Sequence, residues 1–286
     1  MVPTGQRILG AVILAAGVLY GAAILHGAYR ERESLRSGPA LGLIAALEAA
    51  VYFCASMGVS DFLLNTMIAQ RLRLTNDKTL PGTVVACCLT PGAVTAFFLL
   101  RSENPVDLLT VVLCGAMVMA GSMTGSRLVS RFAPRVVETV RRTALIVSLL
   151  VLIGKIIISA GRTGEAMGLS SWKLAVAAVV CFAAGALNMF GIPMKPTWTA
   201  MFLAFGMSPL ATLTTVLVLG ALSPFSGGLE VVRRGNYNRK MASCGVLAGS
   251  VGVILGVLLA VSLPAALLNV LLIVVMLLAI ITAFRR

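Results

Sequence analysis

The chain has 286 residues, 59% of them hydrophobic and only 12% charged, with a mean hydropathy of +1.00. Apolar runs near 20 residues recur from end to end, which excludes a water-soluble domain and points to a single polytopic membrane unit. The net charge of +13 would suit a nucleic-acid binder, but the basic residues are scattered through the short gaps between apolar runs. Nucleic acid is therefore excluded as a partner, and the lipid bilayer takes its place.

The N-terminal run RILGAVILAAGVLYGAAILHGAY is too long for a signal-peptide core and lacks a small-x-small cleavage site, so it reads as a retained helix. Further long helices are predicted over 39–57, 82–100, 106–126, 143–160, 173–190, 209–224, 242–262 and 264–284, with the first over 8–26. Two short apolar segments remain, over 59–74 and 194–207. Charge counting tests whether they cross the membrane. If both cross, and the gap around Arg127–Arg142 is cytoplasmic, 18 basic residues fall inside and four (Arg7, Arg101, Arg162 and Lys173) fall outside; if neither crosses, the count is 10 against 12. Both are therefore expected to cross. Sixteen helical residues reach only about 24 Å across a hydrocarbon core of about 30 Å, so each must be buried among other helices as a discontinuous helix.

The surroundings of the two short segments match. Gly58 precedes Thr83 much as Gly191 precedes Thr215; Thr90-Pro91 is answered by Ser223-Pro224, and Ala120-Gly121-Ser122 by Ala248-Gly249-Ser250. Four landmarks in one order predict an all-α polytopic membrane protein of two repeats, each of about five segments with one short discontinuous helix, plus an extra N-terminal helix. Odd numbers of crossings make the repeats inverted. The units are residues 1–38 (N-terminal helix and cytoplasmic loop), 39–160 and 161–286. The expected setting is the plasma membrane of a bacterial cell, multi-pass, with the C-terminus cytoplasmic.

The six cysteines all lie inside apolar runs without a CxxC pair and read as packing residues. His26 is the single histidine, and no HExxH, GxSxG or Walker pattern occurs, so an enzyme is not expected, nor any metal or other cofactor.

The stretches MGVSDFLLNTMIAQRLRLTNDKTLPGTV and NMFGIPMKPTWTAMFLAFGMSPLATLTTV, with the repeat and the basic loop, resemble the TauE/SafE family of sulfite-exporter-like membrane proteins over about residues 40–284. The resemblance implies export or uptake of small sulfur-containing or organic anions such as sulfite, sulfonates or sulfoacetate-like compounds. This chain has GVSDF where many members carry a glycine cluster.

Intramembrane charges are costly and so are candidates for function. Lys195 precedes Pro196, which suits a helix start, and is expected at the N-cap of the second short segment. There it either makes an anion site with exposed N–H groups or snorkels to the interface or a phospholipid. Asp61 caps the first short helix, pairs with Lys195, or serves as the coupling carboxylate for H+ or Na+; Asn65 lies on its face one turn on. Glu48, mid-helix, is a proton relay or a partner for Lys155, and Lys155 can instead reach an interface. Thr83, Thr214 and Thr215 either offer hydroxyls to a small anionic substrate or bond their own i−4 carbonyls. Asn188 and Trp198 are further candidates, Trp198 also as an interface anchor. A secondary anion transporter working by alternating access, most simply an exporter, is the leading expectation, with a non-transporting scaffold or channel subunit as the alternative. A homo-oligomer is compatible with either.

Overall fold

The computed structural model describes residues 3–31, 35, 38–56, 60–76, 79–101, 106–129, 164–189 and 194–260. Lys155, the expected helices over 143–160 and 264–284, the C-terminus, Gly58 and Gly191 lie outside the described residues. Among the described residues the fold is all-α, apart from one isolated bridge between Ala166 and Met207. Six helical stretches are long and apolar enough to cross a membrane by length and composition, which marks a multi-pass membrane architecture.

The elements are α1 (Thr4–Arg30), α2 (Leu41–Ser56), α3 (Asp61–Arg71), α4 (Leu80–Arg101), α5 (Leu108–Val129), α6 (Ser171–Asn188), α7 (Lys195–Ala204), α8 (Pro209–Leu222), α9 (Phe225–Arg234), α10 (Arg239–Cys244), a π-helical turn (Gly245–Gly249) and α11 (Ser250–Ala260). Their ends are set by local chemistry. Ser208 caps α8 by accepting from Ala211 N at 3.3 Å, and Pro209 sits where its missing N–H is not needed. Asn238 caps α10 by accepting from Met241 N at 2.9 Å, which starts this span at Arg239, ahead of the expected 242. The expected span over 209–224 is interrupted at Ser223-Pro224 and then continues as α9 to Gly235, which closes it at φ 69°. The polar residues Glu230, Arg233 and Arg234 on its outer half hid this extension in the sequence.

At the centre lies α4, with 83% of its apolar span buried, against 28% for α1 and for α6. Leu19, Val179 and Leu258 are exposed apolar side chains on outer helices, as a lipid-facing surface requires. Two seams of close backbone contact flank this centre. Along α5 and α6, a Cβ on Gly121 would stand 2.0 Å from Phe182 O, and one on Gly125 2.3 Å from Ala186 O. Along α11 and α2, a Cβ on Gly252 would stand 2.1 Å from Ala49 O, and one on Gly256 2.6 Å from Phe53 O. Small residues four apart let membrane helices approach this closely. The glycine-rich runs are thus packing devices.

The two short segments are shorter than their sequence bounds: α3 has 11 residues and α7 has 10. Such helices reach only about 15–17 Å, about half of the hydrocarbon core. Each is a half-helix, and their N-termini meet.

Candidate functional site

The meeting point of α3 and α7 is a pocket with about 410 Å³ of empty space, its open mouth included. Asp61 opens α3 and Lys195 opens α7, with Met194, not Lys195, at the N-cap position. Lys195 Nζ donates to Asp61 Oδ1 at 2.7 Å. The two side chains are 14% and 18% exposed, so the pair is half-sheltered rather than sealed. This contact is the Asp61–Lys195 pair, one of the three readings the sequence left open for Asp61. Half-helices that meet head to head bring both charges to one interior point. An aspartate also suits the positive end of α3, while a lysine at the same end of α7 is unfavourable unless an anion faces it. Here the anion is Asp61.

The rest of the pocket comes from four elements. Trp198, one turn into α7, is 1% exposed, and its indole Nε1 has no hydrogen-bond partner among the described residues. Asn188, the last residue of α6, lines the wall and donates to Ser223 Oγ at 2.8 Å; Ser223 in turn lies 2.9 Å from Ser122 Oγ. Gly220 of α8 faces the lysine stem: a Cβ there would stand 3.0 Å from Lys195 Cε. Cys88 of α4 closes the floor.

Behind Cys88 runs a second polar cluster. Glu48 of α2 is fully buried. The Asn65 amide of α3 lies 3.2 and 3.1 Å from its two oxygens, and the far side of that amide meets the Tyr52 hydroxyl at 3.0 Å. Cys87 Sγ donates toward Glu48 Oε1 at 3.9 Å. Cys88, next in α4 to Cys87, lines the pocket together with Asp61. The π-helical turn presses against the cluster, where a Cβ on Gly249 would stand 2.5 Å from the Tyr52 ring and one on Gly245 3.0 Å from Cys87.

The structure thus gathers Lys195, Asp61, Trp198 and Asn188 around one pocket and places Asn65 and Glu48 directly behind it. It does not gather the threonines. Thr83 donates to Thr79 O at 2.8 Å and accepts from Asn238 N at 2.8 Å, tying the α3–α4 loop to the start of α10. Thr214 and Thr215 are fully buried in α8 and outside the pocket lining; their hydroxyls have no partner among the described residues. Sequence reasoning missed Gly220, and it read Cys87 and Cys88, like the other cysteines, as packing alone. The signal that could have found them is the arrival of α4 and α8 at the half-helix ends, which neither spacing nor residue type encodes.

The fold and pocket define a multi-pass helical membrane protein with a charge-paired site where two half-helices meet. No family model matches the chain, and no curated protein or solved structure matches it.

Proposed function

We propose that the chain is a secondary transporter, most simply an exporter, of a small sulfur-containing or organic anion such as sulfite or a sulfonate. The observation that carries this reading is one pocket holding an ammonium at a helix N-terminus beside a buried, unpartnered indole N–H. Cation, helix dipole and N–H donor converge on the groups an oxyanion needs. Small anions enter when Asp61 yields Lys195, and the apolar walls from Met189, Met194 and Phe62 accommodate a short carbon stem.

Inverted repeats supply the mechanism in this reading. The seams described above support it: the fourth segment of each unit packs on the first segment of the other through paired glycines. Alternating access then means rocking of residues 39–160 against 161–286 around the paired half-helices, in the plasma membrane of a bacterial cell, with the C-terminus cytoplasmic. The TauE/SafE resemblance agrees with this reading and supplies the substrate class. One observation favours the alternative, a scaffold or channel subunit: the Lys195 ammonium is already engaged by a carboxylate.

Reconstitution decides between them. Liposomes loaded with sulfite, methanesulfonate or a short carboxylate should release at least one anion through the wild-type protein, and Lys195→Ala should cut that flux at least about 100-fold while leaving the helical fold intact. Absence of flux for every anion from well-folded protein rejects the transporter.

A further inference from the structure

The loop between α9 and α10 gathers parts of the chain that are far apart in sequence. Asn238 Nδ2 donates to Leu74 O at 2.6 Å, just past the end of α3. A Cβ on Gly82, at the start of α4, would stand 2.5 Å from Asn236 O. The end of α1 joins them through Glu31, whose carboxylate accepts from Arg239 Nε at 2.7 Å and Nη2 at 2.8 Å. Five arginines, Arg30, Arg71, Arg73, Arg233 and Arg234, therefore stand exposed around one loop. Arg234 pairs with Glu230 one turn back. Among the described residues no carboxylate lies within ion-pair distance of the other four.

The other end of the molecule is different. There Gln6 donates to Val106 O at 2.5 Å, Asp107 N to Met167 O at 2.9 Å, and Lys173 Nζ to Phe205 O at 2.9 Å. These bonds gather the start of α1, the α4–α5 loop and the start of α6. In sequence, 1–7, 101–107 and 161–173 hold four basic and three acidic side chains, whereas 30–36, 71–78 and 230–240 hold ten basic and four acidic ones. The charge bias that orients membrane proteins accounts for an excess at one end, and helix dipoles favour Arg71 and Arg233 in the last turns of α3 and α9. Neither accounts for Arg73. It stands beyond α3 at φ 52°, where Leu74 N closes the helix by donating to Ala69 O at 2.9 Å. Glycine or asparagine is the usual residue at such a left-handed position, and a longer side chain there carries strain. An arginine set against that strain points to a use for its side chain.

We propose that this arginine face is a docking surface for anionic phospholipid headgroups. It is separate from the Lys195 pocket and does not depend on what that pocket carries. The charges are complementary, since a guanidinium offers paired N–H donors to two phosphate oxygens. The position fits as well. Tyr29, 64% exposed, precedes Arg30, and Leu229, 45% exposed, lies one helical turn before Arg233. An exposed aromatic ring and an exposed leucine beside basic residues mark the border between hydrocarbon and headgroups, which puts the guanidinium groups at the level of the phosphates. A soluble polyanion has no use for such an apolar border, whereas a lipid fills both sides of it. Each basic side chain near an anionic lipid surface is worth about 5-fold in binding.

The test uses the full chain in mixed micelles of phosphatidylglycerol and phosphatidylcholine, with the lipids that stay on the protein counted by native mass spectrometry. Wild type at low salt should retain phosphatidylglycerol over phosphatidylcholine by about 10-fold or more, and the preference should shrink as salt is raised. Arg71→Gln combined with Arg73→Gln should lower that preference about 10-fold or more. Arg7→Gln combined with Arg101→Gln, at the other end, should change it by less than about twofold. Arg73→Gly separates charge from fold. Glycine takes the left-handed conformation freely, so the thermal midpoint should rise by about 2 °C, while phosphatidylglycerol retention falls about 5-fold. Equal effects of the two double variants overturn the proposal, as does an Arg73→Gly protein that keeps full retention. If the Arg71 and Arg73 double variant does not fold, Arg73→Gly decides alone. Millimolar glycerophosphoglycerol, the headgroup without its acyl chains, and inorganic phosphate should both leave the retained lipid in place. Displacement by either makes the face a site for soluble phosphates and overturns the lipid surface.

Discussion

The two walls of the pocket differ in a way that the proposed repeat makes measurable. Gly58 and Gly191 are 133 residues apart, and the same offset carries Glu48 to Cys181, Tyr52 to Gly185, Asn65 to Trp198, Cys88 to Ala221 and Pro91 to Pro224. The prolines agree, although α4 runs unbroken through Pro91 whereas Pro224 stands between α8 and α9. Glu48, Tyr52 and Cys88 stand opposite Cys181, Gly185 and Ala221, none of which carries a carboxyl or a hydroxyl. In the first half Glu48, Asn65 and Tyr52 form one buried polar cluster; in the second, Gly185 brings α6 so close that a Cβ would stand 2.3 Å from Val118 O, and Trp198 fills the pocket wall. The first half brings the carboxylates of Glu48 and Asp61, and the second brings the Lys195 ammonium and the Trp198 indole. The proposed repeat would thus keep close backbone approach in both halves while dividing unlike polar groups between them.

The shared part of this comparison breaks under the largest perturbation. Gly121→Leu and Gly252→Leu each drive a side chain into a backbone carbonyl, at Phe182 and Ala49 respectively. Carbonyls in packed helices cannot step aside, so each variant should lose on the order of 3 kcal/mol or more of stability, read as a fall in the midpoint of thermal unfolding in detergent. Equal losses mean that the seams are equivalent. A loss at one seam alone separates the halves in packing as well as in chemistry.

The unequal part is sharpened at Asn65 and its counterpart Trp198. Asn65→Leu strands both the Glu48 carboxyl and the Tyr52 hydroxyl in a dry interior, at a cost of about 2–3 kcal/mol. Trp198→Phe removes an N–H that bonds to no protein group among the described residues, so stability should hold within about 0.5 kcal/mol. If the indole reaches the anion, affinity should fall about 5–10-fold, the worth of one hydrogen bond. Flux measured against anion concentration, together with thermal unfolding, separates the two outcomes. A destabilised Trp198→Phe with unchanged affinity would return the indole to a purely packing role.

Much of this architecture was legible in the sequence, because a membrane makes hydropathy and charge placement strong signals. The helices, the two short segments and the glycine seams follow from apolar run length, basic gaps and small residues at helical spacing. The role of Asp61 was open among three readings, and the structure pairs it with Lys195. Charge counting treats each segment as a full crossing, and it has no term for helices that stop halfway and meet end to end. The Glu48–Asn65–Tyr52 cluster was illegible for a different reason. It joins α2 and α3 through the uncharged side chains of Tyr52 and Asn65, whose spacing in the sequence does not set them face to face.

The threonines give the smallest predicted effect and the finest discrimination. The two repeats offered Thr83 and Thr215 as counterparts, yet their hydroxyls stand in opposite conditions. The Thr83 hydroxyl is held from both sides, donating to Thr79 O and accepting from Asn238 N. Thr83→Val leaves those backbone groups short and should cost about 1–2 kcal/mol. The hydroxyls of Thr214 and Thr215 are buried without partners among the described residues, and an unsatisfied hydroxyl in a dry site is already a liability. Replacing each by the isosteric valine should therefore be neutral or stabilising by up to about 1 kcal/mol. Neither sits in the pocket lining, so methanesulfonate flux should stay within about twofold of wild type. A large flux defect in Thr215→Val with normal stability would mean that α8 turns its hydroxyls toward the anion in another state of the transport cycle, and would enlarge the site beyond the pocket described above.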